Sequence, residues 1–310
     1  MLLNTLLLIG LTIAPTVAPS VSRSVSASRQ PPAPGAAHDA TFWHAIIQRG
    51  YAPPDGVEAG QLCDELSALL GSPDPEQRDG IAYSILTAWI YRKRTLGPDA
   101  LRPLVAGWLS NLTIDIGTTG TDAVLRRSFS ALMLSVVIAR DNAAPFLQAR
   151  EFRTIFDDAL EYLRKEQDVR GYDPRLGWMH SAAHTADLLK FLGRSAQITK
   201  EDQRAIRDAI AEKMRSAPAV FVNGEDERMA RAVLSLVNRE DFDLEGFRSW
   251  LTRTRPVDPA AVLPDPAVLR GNQNVKNLFA KLEVLLSLDG SSPGVQAART
   301  EVRAVLKDLF

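Results

Sequence analysis

Residues 122–140, DAVLRRSFSALMLSVVIAR, and 151–163, EFRTIFDDALEYL, decide the fold class. In the second stretch Phe152, Ile155, Phe156, Leu160 and Leu163 recur at the three- and four-residue spacing of one buried helix face, not at the alternation of a strand. The first is apolar around nearly its whole circumference, as a helix enclosed by other helices is, and Thr121 stands where its N-cap belongs.

The same period continues on both sides. It predicts helices over 55–70, 75–94 and 98–112 before this pair, and over 177–191, 199–216, 225–237, 243–254, 274–288 and 295–309 after it. Thr199 with Asp202 has the form of a capping box. Pro and Gly gather between the helices, at 256–266 (PVDPAAVLPDP) and 290–294 (GSSPG). Taken as pairs, the helices begin near 75, 121, 177, 224 and 274, a spacing somewhat above the roughly 40–47 residues of HEAT and armadillo units. The expected fold is all-α, a HEAT/armadillo-like α-solenoid or superhelix of stacked helix pairs, with an irregular single-core helical domain as the alternative.

Composition bounds the function. Of 310 residues, 45% are hydrophobic and 24% charged, as in an ordinary soluble globular chain. Thirty-six Lys and Arg against 37 Asp and Glu give a net charge of −1, which argues against a surface built to neutralise nucleic-acid phosphates. A single cysteine, Cys63, excludes an internal disulfide, and with only four histidines a Cys/His zinc cluster is excluded as well. Cys63 lies in GQLCDELSALL and reads as a small buried apolar residue.

Residues 1–27 carry an apolar run from Leu6 to Ala14 and then small residues up to Ala27, the pattern of a secretory signal peptide cleaved before Ser28. Residues 28–38, SRQPPAPGAAH, read as an exposed Pro/Ala-rich leader, and 39–310 as the helical domain. The expected location is therefore outside the cytoplasm, periplasmic or secreted, with no stable membrane span after signal removal.

One stretch concentrates chemistry: DPRLGWMHSAAHTAD, 173–187, holds two of the four histidines. On a continuous helix at about 100° per residue, His180, His184 and Asp187 form one stripe, with Trp178, Ala182, Ala186, Leu189 and Leu192 opposite. Histidines at i and i+4 can hold a transition metal, and a carboxylate one turn on can ligate or orient a ring. The same trio could carry acid–base chemistry, although Ser181 stands where a His-Glu-x-x-His metalloprotease has its base. It could also be a set of buried polar residues satisfied by Asp187, backbone carbonyls or an arginine, or it could line a binding groove. A metal is possible and none is favoured. Arg127 sits in an apolar helix and needs an acidic partner, for which Asp187, Asp122 and Glu225 are the candidates.

The blocks SPDPEQRDGIAYSILTAWI (72–90), GTDAVLRRSFSALML (120–134), GWMHSAAHTADLL (177–189) and GEDERMARAVLSLV (224–237), in that order, resemble the domain of unknown function 2785 over roughly residues 55–240. The resemblance implies an α-helical fold and no particular activity. It also implies that Trp178, His180, His184 and Asp187 matter, together with Asp79, Arg127, Ser128, Phe129, Glu225 and Arg228. The functional expectation is a groove carrying the His/His/Asp stripe that binds a protein or small-molecule ligand, with Trp178, Arg127, Glu225 and Arg228 as further binding residues. The alternative is a metal-dependent or acid–base hydrolase using His180, His184 and Asp187.

Overall fold

The computed structural model describes residues 38–256, 265–290 and 292–309. The expected signal peptide lies outside the described residues, as do the leader up to residue 37 and most of the 256–266 loop. The chain is all-α. It opens with α1 (Ala40–Gln48), capped by the Asp39 carboxylate accepting from the Phe42 amide, followed by a 3-10 turn, Ala59–Leu62, that leads into α2 (Cys63–Leu69). A π-helical segment, Glu76–Tyr83, runs through α3 (Ser84–Thr87) into a second π-helical segment, Ala88–Arg92. Then come α4 (Pro98–Asn111), α5 (Ala123–Ala143), α6 (Ala149–Lys165), α7 (Ser181–Gly193) and α8 (Lys200–Ser216). The series ends with α9 (Glu225–Val237), α10 (Leu244–Thr254), α11 (Pro266–Leu288) and α12 (Pro293–Lys307).

Most expected helices appear with shifted ends. The capping box is present, with Thr199 and Asp202 bonding each other's amides. The α5 cap differs: Asp122, not Thr121, is the N-cap, and its side chain makes no capping bond. Helix α11 begins at Pro266, eight residues ahead of the expected Asn274, because Asp265 caps it and a proline is well placed in a first turn. The largest correction is α7. Residues 177–180 do not join it; Gly177–Trp178 pairs with Tyr172–Asp173 as a two-stranded hairpin, β1 with β2.

Helix α7 is the centre of the arrangement that matters for the site, packed between α5 and α9, with α9 in turn on α11. On the other side α6 packs on α8, and α8 on α10 and α11. The apolar face of α6 is buried as its spacing requires, and one hydrophobic cluster runs from Trp43 to Val305. Each large aliphatic or aromatic side chain so buried contributes about 1.5–3 kcal/mol. Helix α5 is enclosed almost all round, so its two buried arginines need partners: Arg140 donates to the carbonyls of Leu96 (2.5 Å) and Ile90 (3.4 Å).

Helix α11 approaches α8 closely at Gly271. A Cβ there would lie 2.6 Å from the Arg215 carbonyl oxygen and 3.1 Å from its Cα, backbone atoms that cannot step aside as a side chain can. Gly271→Ala is therefore expected to lower stability by about 1–3 kcal/mol in urea unfolding, despite the better helix propensity of alanine. An unchanged midpoint would show that the two helices separate freely.

Candidate functional site

The hairpin that displaces the start of α7 is built from local turn chemistry. The Asp173 carboxylate accepts from the amides of Arg175 (2.8 Å) and Leu176 (3.0 Å), and Gly177 takes the left-handed conformation the turn requires. The fully buried Arg78, from the first π-helical segment, pins the hairpin. Its guanidinium donates to the carbonyls of Ser72, Leu176 and Trp178, lies 2.8 Å from the Asp79 carboxylate and stands over the Phe129 ring. Burial pushes the Asp79 carboxyl up to about 6, against the pull of Arg78.

The chain then turns into α7 at His180, whose backbone is left-handed (φ 48°), a conformation histidine adopts more readily than most residues. As the N-cap, His180 projects away from the helix face and onto the Trp178 indole, ring centroids 4.2 Å apart. Trp178 also meets Tyr172, its cross-strand partner, at 4.8 Å. These two aromatics are 37% and 54% exposed, whereas His180 beneath them is 6% exposed.

His184, one helical turn further in, is locked by Ser128 of α5. The Ser128 hydroxyl donates to the Met179 carbonyl, so its oxygen is left to accept from His184 Nδ1 at 2.8 Å. That fixes the tautomer: Nδ1 carries the proton and Nε2 the lone pair. The Phe129 ring packs edge-on at 4.9 Å, and the two imidazoles meet edge-to-face at 5.9 Å. Burial holds both histidines neutral, with the positive charge of Arg228 adding to the effect. The His180 ring is lowered to about 4, and His184, which also feels His180 and Arg78, is pushed well below the usual histidine range.

Helix α9 supplies the remaining groups. Glu225 opens it, buried, with one carboxylate oxygen accepting from the Asn223 amide (2.9 Å) and the other 3.9 Å from His180 Nε2. Burial raises its pKa. One turn later Arg228 bonds Asp187, whose other oxygen takes Lys190 Nζ at 2.7 Å. Among the described residues His180 Nε2 is buried and without a hydrogen-bond partner, while the ring takes a backbone hydrogen bond at Asn223.

The structure thus brings together Trp178, His180, His184, Asp187, Glu225 and Arg228, with Ser128 and Phe129 behind them. The expected stripe exists only in part, because His180 stands off the helix that carries His184 and Asp187. Nor does α7 present them to open solvent; it is buried from Ser181 to Leu189.

Arg127 is placed elsewhere. Its guanidinium forms a bidentate pair with Glu166 (2.6 and 3.0 Å) and donates to the carbonyls of Ile114 and Asp115. The acid is Glu166, just past α6, and not Asp187, Asp122 or Glu225. Burial works against the Arg127 charge, but Glu166 outweighs it and holds the pKa above the ordinary arginine value.

Among the described residues no three His, Cys, Asp or Glu side chains converge as a metal site needs. The reason is visible in the bonding: both Asp187 oxygens are engaged by cations and His184 Nδ1 by Ser128. Sequence reasoning missed Tyr172 and Arg78. The Asp-Pro and Gly of YDPRLGW were the available signal for the turn that exposes Tyr172; for Arg78 there was none beyond its neighbour Asp79. A surface groove at the α8–α10 end, lined by Asp208, Glu212, Arg215 and Arg253, contains none of the candidate residues.

The family model described as protein of unknown function (DUF2785) matches residues 112–284, which carry every residue of this cluster except Arg78 and Asp79. No curated protein and no solved structure matches the chain. A match over more than half of the sequence, running from the end of α4 into α11, places this chain in the DUF2785 family.

Proposed function

We propose that the cluster of side chains where the hairpin meets the starts of α7 and α9 binds a small polar ligand. The observation that carries this reading is His180 Nε2, a buried polar atom with no hydrogen-bond partner among the described residues. It faces a buried carboxylate too distant to bond it directly. An unpaired buried polar group costs about 1–3 kcal/mol, and a fold does not need one here, because an apolar ring would pack as well against Trp178. Around it, neutral imidazoles, a carboxyl with raised pKa and a half-exposed arginine give both donors and acceptors, under an aromatic rim.

The test is ligand-detected NMR with a mixed panel of small sugars, carboxylates, phosphate and amines, on the wild type and on His180→Phe. At least one compound should bind the first and not the second. Equal binding to both, or none to either, would remove the reading. We also propose that the protein acts outside the cytoplasm, on the strength of the apolar run and small residues before Ser28. N-terminal sequencing of protein from the native host should then start near Ser28, and an intact Met1 would contradict export by cleavage. Among the described residues no helix is long and apolar enough to cross a membrane.

A further inference from the structure

We infer that the groove at the α8–α10 end binds a small zwitterion, a free amino acid or a short peptide, with its carboxylate on Arg215 and its ammonium between Asp208 and Glu212. This site lies apart from the His180 cluster and does not depend on the role proposed there.

The groove offers about 440 Å³ of space, within the range of about 300–1,000 Å³ that small-molecule sites occupy. One wall is a stripe of α8: Asp208, Ala211, Glu212 and Arg215 stand at i, i+3, i+4 and i+7 and share one face of that helix. The end of α10, with Arg253 and Thr254, makes the other wall. At about 1.5 Å of rise per residue, Glu212 lies about 4.5 Å and Asp208 about 10 Å along the axis from Arg215. Two negative groups therefore stand towards one end of the stripe and a positive group at the other, a separation that the termini of an amino acid or a short peptide can bridge.

The bonding leaves part of each group unused. Arg215 reaches across to α10, where its Nη2 donates to the carbonyls of Arg253 (2.5 Å) and Arg255 (3.1 Å). Those bonds close the end of α10 and use both Nη2 protons, while Nε and Nη1 have no hydrogen-bond partner among the described residues. No carboxylate pairs with this guanidinium, so partial burial alone acts on it and lowers its pKa. The acids are half used as well. Asp208 takes Arg253 on Oδ1 (2.9 Å) and Glu212 takes Arg164 on Oε2 (3.0 Å), which leaves Oδ2 and Oε1 as acceptors. Both acid side chains are more than half exposed, and surface pairs of this kind are weak, so an ammonium can share the carboxylates at little cost.

Charge then narrows the ligand. A simple anion drawn to Arg215 would meet the unused oxygens of Glu212 and Asp208, and a simple cation drawn to those oxygens would meet Arg215 and Arg253. A molecule carrying both charges finds the opposite sign at each end.

The test titrates the full chain by calorimetry with glycine, alanine, serine and the dipeptide alanyl-alanine. Acetate, inorganic phosphate and methylammonium chloride serve as comparison probes. At least one zwitterion should bind saturably and at least tenfold more tightly than any comparison probe. Arg215→Gln should weaken it about ten- to a hundredfold, the loss of charge-assisted hydrogen bonds. The double variant Asp208→Asn with Glu212→Gln should weaken it comparably. Circular dichroism checks folding. Because Arg215 also closes the end of α10, the double variant, which leaves that contact intact, carries the test if Arg215→Gln does not fold. His180→Phe should leave the affinity unchanged.

Acetate or phosphate binding as tightly as every zwitterion would make the groove a plain anion site and overturn the assignment. Methylammonium binding as tightly would make it a cation site, with the same consequence. Binding that neither the Arg215 nor the Asp208/Glu212 variant weakens, or that His180→Phe abolishes, lies elsewhere in the molecule and overturns the proposal, as does silence from every zwitterion.

Discussion

Arg127→Met should lower the stability of the fold by about 3–5 kcal/mol, the usual penalty for leaving one partner of a buried ion pair uncompensated. Glu166 would keep its carboxylate in a site only a few per cent exposed, with both Arg127 donors gone and the Asp168 amide at 2.9 Å left to it. The Ile114 carbonyl would lose its donor and the Asp115 carbonyl would keep only Thr118, loosening the loop between α4 and α5. The segment after α6 is a hub for this part of the molecule. The Glu166 carbonyl takes Lys213 Nζ, the Asp168 carboxylate holds the Gly120 amide and Arg170, and the Asp168 carbonyl takes the Ser181 hydroxyl at the start of α7. Removing both charges, in Arg127→Met with Glu166→Met, should recover part of the loss, since the pair is worth less than either orphaned member costs. Urea unfolding of the three variants measures this. A single-variant loss below about 1 kcal/mol would mean that water reaches the pair.

Acidification should destabilise the protein between pH 6.5 and 4 by about 3 kcal/mol, and the histidine pair should be the main cause. The folded protein resists protonating His180 until about pH 4, whereas the unfolded chain takes up that proton near the ordinary value of 6.5. In this window the unfolded state binds more protons, so stability is complete above 6.5 and is lost as the pH falls towards 4. His184 acts with the same sign. Asp79 and Glu225 act oppositely: their raised values mean that protonation relieves the cost of a buried charge and adds stability as the pH falls. The Asp79 side chain is 39% exposed, so solvent screens much of its share and the histidines prevail. Urea midpoints at pH 7.5 and 4.5 give the difference, which should be smaller in His180→Phe. A profile flat to pH 4.5 in the wild type would show that the imidazoles are hydrated.

Much of the fold was legible because helix period survives in sequence. The α6 stripe of Phe152, Ile155, Phe156, Leu160 and Leu163 is the buried face found in the structure, and Thr199 and Asp202 cap α8 as their spacing implies. The start of α7 was not legible. Residues 177–187 keep a helical pattern, but the Asp173 turn and the left-handed His180 break the helix four residues into that expected span, and neither effect has a period. The difference mattered, since a continuous helix would put Trp178 on a buried face, whereas the hairpin puts it on an exposed rim. Partners distant in sequence were hidden in the same way. That Arg127 needs an acid follows from its apolar helix, but that the acid is Glu166 depends on where α6 ends against α5. The convergence of Glu225 on His180 likewise exists only once α9 lies beside α7.

The most direct test of the claim that His180 serves a ligand rather than the fold is the unfolding free energy of His180→Phe at neutral pH. Phenylalanine keeps the ring that packs on Trp178 and removes the unpartnered nitrogen, and of the ring's bonding only the backbone hydrogen bond at Asn223 is lost. The left-handed backbone sets a small cost against that gain. Stability should therefore stay within about 1 kcal/mol of the wild type, or rise. A loss of about 2 kcal/mol or more would contradict the claim and make His180 a structural residue of the α7–α9 interface.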